Sequence, residues 1–290
     1  MVPSSSLWGF MMAGTDVAAR RTAFRKLHES GCFVIPNPWD IGTARYLQHL
    51  GFRALATTSA GFAFSRGWAD GAAPLDAVLE HIQAIAGAVD LPVNADFESG
   101  YARDPEGVAN NVRRCIGTGV AGLSIEDSTG EASQPLYDLA QAVERIAAAR
   151  AAIDDSASSV LLIGRAECFL TGHPRPLEEA IRRLRAYAEA GADVLYAPGA
   201  RERADIQAIV SAANPKPVNV LMSANTGLTV SDLAELGVRR ISVGSSLARA
   251  AWGGFIAAAK TIREQGSFAG LESCAPFAGL NGFFREDAKK

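Results

Sequence analysis

Short apolar runs of four to seven residues recur along the chain, each entered from turn residues and followed by a stretch of helical periodicity. Eight such runs stand out: Cys32–Pro36, Ala54–Thr58, Pro92–Asp96, Gly122–Glu126, Val160–Ala166, Asp193–Ala197, Pro217–Leu221 and Arg240–Val243. They are apolar on both alternating faces, which is the signature of parallel strands covered on both sides. Between them, Pro74–Val89, Pro105–Gly117, Leu136–Ile153, Pro176–Ala190 and Arg203–Ala213 read as amphipathic helices, and Leu247–Gln265 as the last helix. In Pro176–Ala190, for example, Leu177, Ile181, Leu184 and Ala188 fall on one face, while Glu178, Arg182 and Arg185 lie off it. Asp104-Pro105 and the segment from Thr229 to Asp232 are helix starts.

A second repeat overlies the first. Gly51, Gly119, Gly191 and Gly237 each end a helix just before strands two, four, six and eight, where glycine suits the left-handed residue that closes a helix. Eight β/α units in about 250 residues predict a (β/α)8 TIM barrel; an open parallel sheet is the alternative. The expected division is an N-terminal tail over 1–14, one barrel domain over 15–265, and a glycine- and phenylalanine-rich C-terminal tail over 266–290. That tail either packs on a neighbouring subunit or covers the barrel floor.

Composition narrows the chemistry. With 290 residues, 48% apolar and 20% charged, the chain can bury a sizeable core and is not of the disordered class. A net charge of −3 with no basic stripe argues against nucleic acid. The apolar runs fall short of the roughly 20 residues a membrane helix needs, and no basic segment precedes Leu7–Ala13 as a secretory signal would require. Cys32, Cys115, Cys168 and Cys274 are scattered without a CxxC pair, so a reduced, cytoplasmic protein is expected. There are five lysines, none well placed for a Schiff base, and the four histidines lack the spacing of a zinc site. Carboxylates, arginines, hydroxyls and backbone must carry the chemistry.

In such a barrel the active site lies at the carboxyl ends of the strands. Those ends carry Asn37-Pro38-Trp39-Asp40, Thr58-Ser59-Ala60-Gly61 with Asp70 beyond, Asn94-Ala95-Asp96-Phe97-Glu98, Glu126-Asp127, Arg165 with Glu167 and Cys168, and Asn219. The opposite ends carry nothing comparable. Asp70, Asp96, Glu98, Glu126 and Asp127 would converge on one mouth, and crowded carboxylates repel unless a cation neutralises them. Oxygen donors without histidine favour Mg2+, with Mn2+ as the other candidate. Arg165, inside an apolar strand, needs an anionic partner, either these acids or a substrate. Ser59-Ala60-Gly61 offers small side chains and free N–H groups for a carboxylate. Asp40, Asp127 and Glu167 read as helix caps or arginine partners, and Cys168 as core.

These ordered motifs resemble the isocitrate lyase/phosphoenolpyruvate mutase superfamily from about Phe24 to Arg263. Asn37-Pro38-Trp39-Asp40 resembles its first-strand segment, which places Trp39 on the substrate pocket. The Thr58–Gly61 turn is similar to the one that binds the substrate carboxylate, and Asp70 falls where the family keeps an aspartate near the metal. Asn94-Ala95-Asp96 resembles the Asp-Ala-Asp metal motif, with Asn94 in place of its first aspartate and Glu98 nearby to compensate. Ile125-Glu126-Asp127 and Gly164-Arg165-Ala166-Glu167 resemble the fourth- and fifth-strand motifs, which implies a metal-water role for Glu126 and substrate binding for Arg165. Asn219 resembles the seventh-strand asparagine. The stretch Ser128–Pro135 replaces the gating loop of the lyases and has no cysteine, lysine or histidine.

The resemblance implies a Mg2+-dependent lyase or decarboxylase acting on a small 2-oxo or 2-hydroxy carboxylate through an enolate, with Arg165, Glu126 and Asp70 catalytic. A phosphonomutase or phosphonopyruvate hydrolase, and a barrel that binds oxo acids without turnover, are the alternatives. The family's habit of exchanging the last helix implies a homotetramer or dimer.

Overall fold

The computed structural model describes residues 14–288. All eight predicted runs contain strands of one parallel sheet: β1 (Phe33–Ile35), β2 (Leu55–Ala56), β3 (Val93–Asp96), β4 (Gly122–Glu126), β5 (Leu161–Arg165), β6 (Val194–Tyr196), β7 (Val218–Leu221) and β8 (Arg240–Ser242). Strands adjacent in sequence pair from β2 to β8, and β8 returns to pair with β1, Phe33 opposite Arg240. The remaining seam, β1 to β2, is joined by the Ala56 N–H donating to the Pro36 carbonyl at 3.1 Å. Asn37 reinforces it. Its side-chain amide donates to the Thr57 carbonyl at 2.9 Å, and its Oδ1 accepts from the N–H groups of Val243 and Gly244 at 3.0 and 2.9 Å. One asparagine thus ties the first, second and eighth strands. The result is a nearly closed (β/α)8 barrel rather than an open sheet.

The helices of the outer ring are α2 (Ile41–His49), α4 (Leu75–Ala88), α5 (Pro105–Ile116), α6 (Leu139–Asp155), α7 (Pro176–Glu189), α8 (Arg203–Ala213), α9 (Val230–Glu235) and α10 (Ser246–Gln265), with a short α3 (Ser59–Ser65) between β2 and α4. Their starts follow the local chemistry. Asp104 accepts from the Gly107 N–H at 2.8 Å with Pro105 in the first turn of α5. Asp40 with Thr43, and Thr229 with Asp232, form reciprocal capping boxes on α2 and α9. The four glycines that precede alternate strands all have positive φ, from 84° to 100°. Outward-facing strand residues such as Ala95, Leu123, Ile125, Leu162 and Leu195 pack with Val78, Ile82, Val108, Val112 and Ile146 of the helices in the main core.

The barrel interior is a smaller cluster of Phe33, Ile35, Ala54, Ala56, Leu161, Ile163, Val194 and Tyr196 around the fully buried Phe24. Phe24 belongs to α1 (Gly14–Leu27), which the sequence pattern did not reveal. This helix seals the amino-terminal end of the barrel, and Arg20 fastens it by donating to the carbonyls of Ala86 and Val89 at 2.7 and 3.1 Å. Gly122 is required there. A Cβ on it would stand 2.7 Å from both the Phe24 ring and Asn94 Oδ1.

The predicted N-terminal tail lies outside the described residues, except Gly14, which opens α1. The C-terminal segment neither covers the floor nor hangs free throughout. It forms a 3-10 turn (Ala269–Leu271) and then α11 (Phe277–Asp287), which lies along α2. Phe283 meets Tyr46 and His49 at ring distances of 5.1 and 5.0 Å, and Asp287 pairs with Arg45 at 3.6 Å. Among the described residues no helix is long and apolar enough to cross a membrane.

Candidate active site

A cavity of about 180 Å³ opens at the carboxyl ends of the strands. Its wall is set by strand alternation: β3 turns Asn94 and Asp96 inward, and β5 does the same with Arg165. Glu126 and Arg165 are register partners on β4 and β5. The Arg165 guanidinium lies 3.2 Å from Asp96 and 3.1 Å from Glu126, donates through Nε to Glu167, and sits 5.3 Å from the Tyr196 ring. Burial opposes its charge, but Glu126, Glu167 and Asp96 outweigh that and hold it firmly protonated. Asp96 is fixed from its other side by the Ser59 N–H and hydroxyl, at 3.0 and 2.9 Å.

The acids crowd one another. Burial first, then the charge of Asp96, raises the Asp70 carboxyl above its usual range. Burial pushes Glu98 up to about 7; the Tyr101 hydroxyl, donating at 2.6 Å, works against this, and Asp96 and Asp70 add to it. Burial raises Glu126 well above the ordinary carboxylate range, offset by Arg165 and reinforced by Glu167. The β3–α5 connection carrying Glu98 is itself strained, with Glu98 and Tyr101 at φ 44° and 55°, a conformation that costs of order 1 kcal/mol or more at a non-glycine residue.

The structure sorts the predicted residues. Thr58, Ser59, Ala60, Asp70, Asn94, Asp96, Arg165 and Asn219 line the cavity. Glu126 and Glu98 stand behind that lining; Glu126 acts on it through Arg165, and Glu98 accepts from the Tyr101 hydroxyl. Trp39 and Gly61 do not reach it: Gly61 is buried against Trp39 and Thr58, and a Cβ there would lie 3.2 Å from the Trp39 Cβ. The expected free N–H groups at Ser59–Gly61 are largely engaged, because this segment opens α3. Ser59 donates to Asp96, and the Gly61 N–H donates to Thr58 Oγ1 at 3.2 Å. Asp40 caps α2, as expected. Against expectation, Asp127 does not join the acids of the mouth: its carboxylate is buried against Arg183 at 3.0 Å and accepts from the Glu167 N–H at 2.8 Å. Cys168 is buried, and burial pushes its thiol up to about 12, so it is no nucleophile at neutral pH.

Several lining residues went unread, among them Ser124, Tyr196, Ser242 and Arg240. Arg240, the first residue of β8, is 3% exposed yet faces the cavity from below. The view that strand beginnings carry no polar chemistry is therefore wrong at β8: a long side chain on a three-residue strand reaches the site from its far end. Asn94 Oδ1 is turned toward this arginine, at 3.4 Å.

Whether these residues suit a metal follows from the donors. Among the described residues no three His, Cys, Asp or Glu side chains converge on one point as an ion's direct ligands. What the cavity offers is two facing carboxylates, Asp70 and Asp96, with Glu98 and Glu126 behind them. Three of the four are raised by burial and by one another's charge. Such a set fits a hard cation that keeps most of its waters.

The barrel carries a carboxylate-ringed arginine at its strand ends, and the comparisons give its family. The chain belongs to the phosphoenolpyruvate phosphomutase family, whose pattern matches residues 24–263. Solved neighbours place it in the wider phosphoenolpyruvate mutase/isocitrate lyase superfamily, whose members are lyases and mutases. It is 33% identical over 259 residues to the uncharacterized protein MT2054 of Mycobacterium tuberculosis, covering 89% of this chain and 94% of that one. An oxaloacetate decarboxylase of Rhodopseudomonas palustris is 33% identical over 179 residues, 58% of this chain and 57% of the relative. A Burkholderia cenocepacia J2315 crystal structure, provisionally described as a lyase/mutase, is 47% identical with a TM-score of 0.90 over 93% of this chain and 98% of its own. A phosphonopyruvate hydrolase bound to oxalate and Mg2+ is 26% identical with a TM-score of 0.80, over 93% and 97%.

Proposed function

We propose that this chain is a Mg2+-dependent carbon–carbon lyase, in the first place a decarboxylase, acting on a small 2-oxo or 2-hydroxy carboxylate through an enolate. The observation that carries this reading is Arg165, fixed by Asp96, Glu126 and Glu167 at the wall of a cavity of about 180 Å³. That volume is below the roughly 300–1,000 Å³ of sites for drug-sized ligands, so the substrate is a small acid. Asp70 and Asp96 would hold the ion, with Glu98 and Glu126 accepting from its waters. Mg2+ bound there would supply Lewis-acid polarisation of the substrate's carboxylate and adjacent oxygen.

The protein's own part is positional. Thr58, Ser59 and Ala60 would border the chelated carboxylate, and Asn219 lines the same cavity. Arg165, held rigid by three acids, faces the negative charge that develops as the bond breaks, and a preorganised donor there needs little rearrangement. The segment Ser128–Pro135 carries no cysteine, lysine or histidine to return a proton, so water protonates the enolate. The relatedness to oxaloacetate decarboxylases supports C–C cleavage. The likeness to phosphonopyruvate hydrolase favours C–P hydrolysis as the second reading.

The test is CO2 release from oxaloacetate above the rate with Mg2+ alone, beside phosphate release from phosphonopyruvate. Enzyme-dependent CO2 that Arg165→Ala abolishes supports the first reading; phosphate without CO2 replaces it with the second. Neither product, with wild type still stabilised by oxalate plus Mg2+, leaves a binding protein without turnover. A saturating ligand at a hundred times its dissociation constant adds about 2.7 kcal/mol, and Asp96→Ala should lose that gain. No gain in wild type refutes the site itself.

A further inference from the structure

Arg240 is the buried cation that the reading above leaves without a task. Its Nε donates to Asn219 Oδ1 at 2.9 Å and its Nη1 approaches Asn94 Oδ1 at 3.4 Å. Both partners are neutral amides. Among the described residues it has no ion pair, and its Nη2 donates to nothing while the side chain lines the cavity. Other buried arginines are treated differently. Arg165 has three carboxylates, Arg183 has Asp127 and Glu179, and Arg145 donates to the carbonyls of Ser99, Ala102 and Arg103.

The charge is real at neutral pH. Burial lowers Arg240 to about 10, partly offset by Tyr196, which still leaves it protonated. Its field also reaches His28 below it, which burial and this guanidinium keep neutral. A buried charge without a counterion is costly in a folded protein, and a guanidinium with an open fork is suited to a carboxylate.

Position says which carboxylate. Asn94 and Asp96 point inward from the same strand, two residues and so roughly 6–7 Å apart along it. Arg240 comes from β8, three strands away around the ring, and its guanidinium crosses the interior to the level of Asn94. The cavity therefore has an acidic rim for a cation and, one inward-facing layer lower, a basic floor. That spacing matches the two ends of a four- or five-carbon diacid.

We propose that Arg240 forms an anion subsite at the cavity floor that selects dicarboxylates, binding through its free Nη2 the carboxylate that the metal would not chelate. This deepens the proposed function and rests on it for the identity of the metal-chelated end. Lactate and malate are inert probes that share a 2-hydroxy acid end and differ by that second carboxylate; oxalate reports the metal-chelated end alone. With Mg2+ present, calorimetric titration of wild type should show malate binding at least about tenfold tighter than lactate, the scale of one charge-assisted hydrogen bond. Arg240→Gln should erase that preference and leave oxalate binding within about twofold. Arg240→Lys, which keeps the charge and loses the fork, should retain part of it.

Equal binding of malate and lactate by wild type overturns the proposal without any variant. So does a preference that survives in Arg240→Gln, or a uniform loss of oxalate, lactate and malate in both variants, which would make Arg240 a support for Asn94 and Asn219. Failure of wild type to bind oxalate would instead strike the proposed function.

Discussion

Arg165→Met removes the cation at the centre of the site while keeping most of the side chain's bulk. Asp96, Glu126 and Glu167 would then face one another in a largely buried space, with no arginine within 3.2 Å as at present. Removing one partner of a buried ion pair costs about 3–5 kcal/mol. At about 2 °C per kcal/mol for a chain of this size, the melting temperature should fall by roughly 6–10 °C. The sign of the pH effect follows from the acids. Glu126 and Glu167 are already raised above their unfolded values, chiefly by burial, and Arg165 is what restrains them. Without it both rise further, so the folded state binds more protons than the unfolded state between the unfolded glutamate value near 4.3 and the new folded values. Stability of the variant relative to wild type should therefore recover as pH falls. Urea unfolding of both proteins at about pH 8 and about pH 5.5 measures it, each recovered proton being worth about 1.4 kcal/mol per pH unit. A deficit under about 1 kcal/mol at the higher pH, or the same deficit at both, would refute the account of Arg165 as the counterion of the cluster.

Other outcomes follow from single contacts. His28 and His81 are driven down to about 3 and about 4, mainly by burial. The unfolded chain then takes up protons that the fold refuses, so stability should drop by about 1.4 kcal/mol per pH unit per histidine below pH 6.5. His81→Phe, which keeps the stack on Phe62 at 4.1 Å, should halve that slope in urea titrations. Gly122→Ala should destabilise by about 1–3 kcal/mol through overpacking against Phe24, and a neutral effect would deny α1 its sealing role. The apolar face of α10, with Trp252, Phe255 and Ile256 at 40, 61 and 44% exposure, should be covered in a homo-oligomer. Sedimentation should show a dimer or tetramer that Phe255→Asp dissociates, and a monomeric wild type would rule this out.

The barrel was legible because its two signals are local. Apolar strand cores and helix-ending glycines need no knowledge of the distant chain, and reading each strand to its end was enough to find Asp96, Glu126 and Arg165. What escaped depended on tertiary reach. Phe24 is an ordinary helical phenylalanine until α1 turns under the barrel. Trp39 follows a strand end but is not among the residues that line the cavity. The hydroxyl and N–H of Ser59 looked available for substrate, yet a side chain 37 positions away takes both. Arg240 begins its strand, and only side-chain length, which strand-end counting ignores, brings it to the cavity.

The seal made by Phe24 has a kinetic consequence. With the interior packed around Phe24, the cavity above it is closed below, so whatever enters through the mouth must leave by it. When a molecule is split inside, the fragment resting on the floor is trapped until the one above it has gone. Release is then ordered by depth, and the deeper product should act as a competitive inhibitor, while the shallower one escapes first and inhibits weakly.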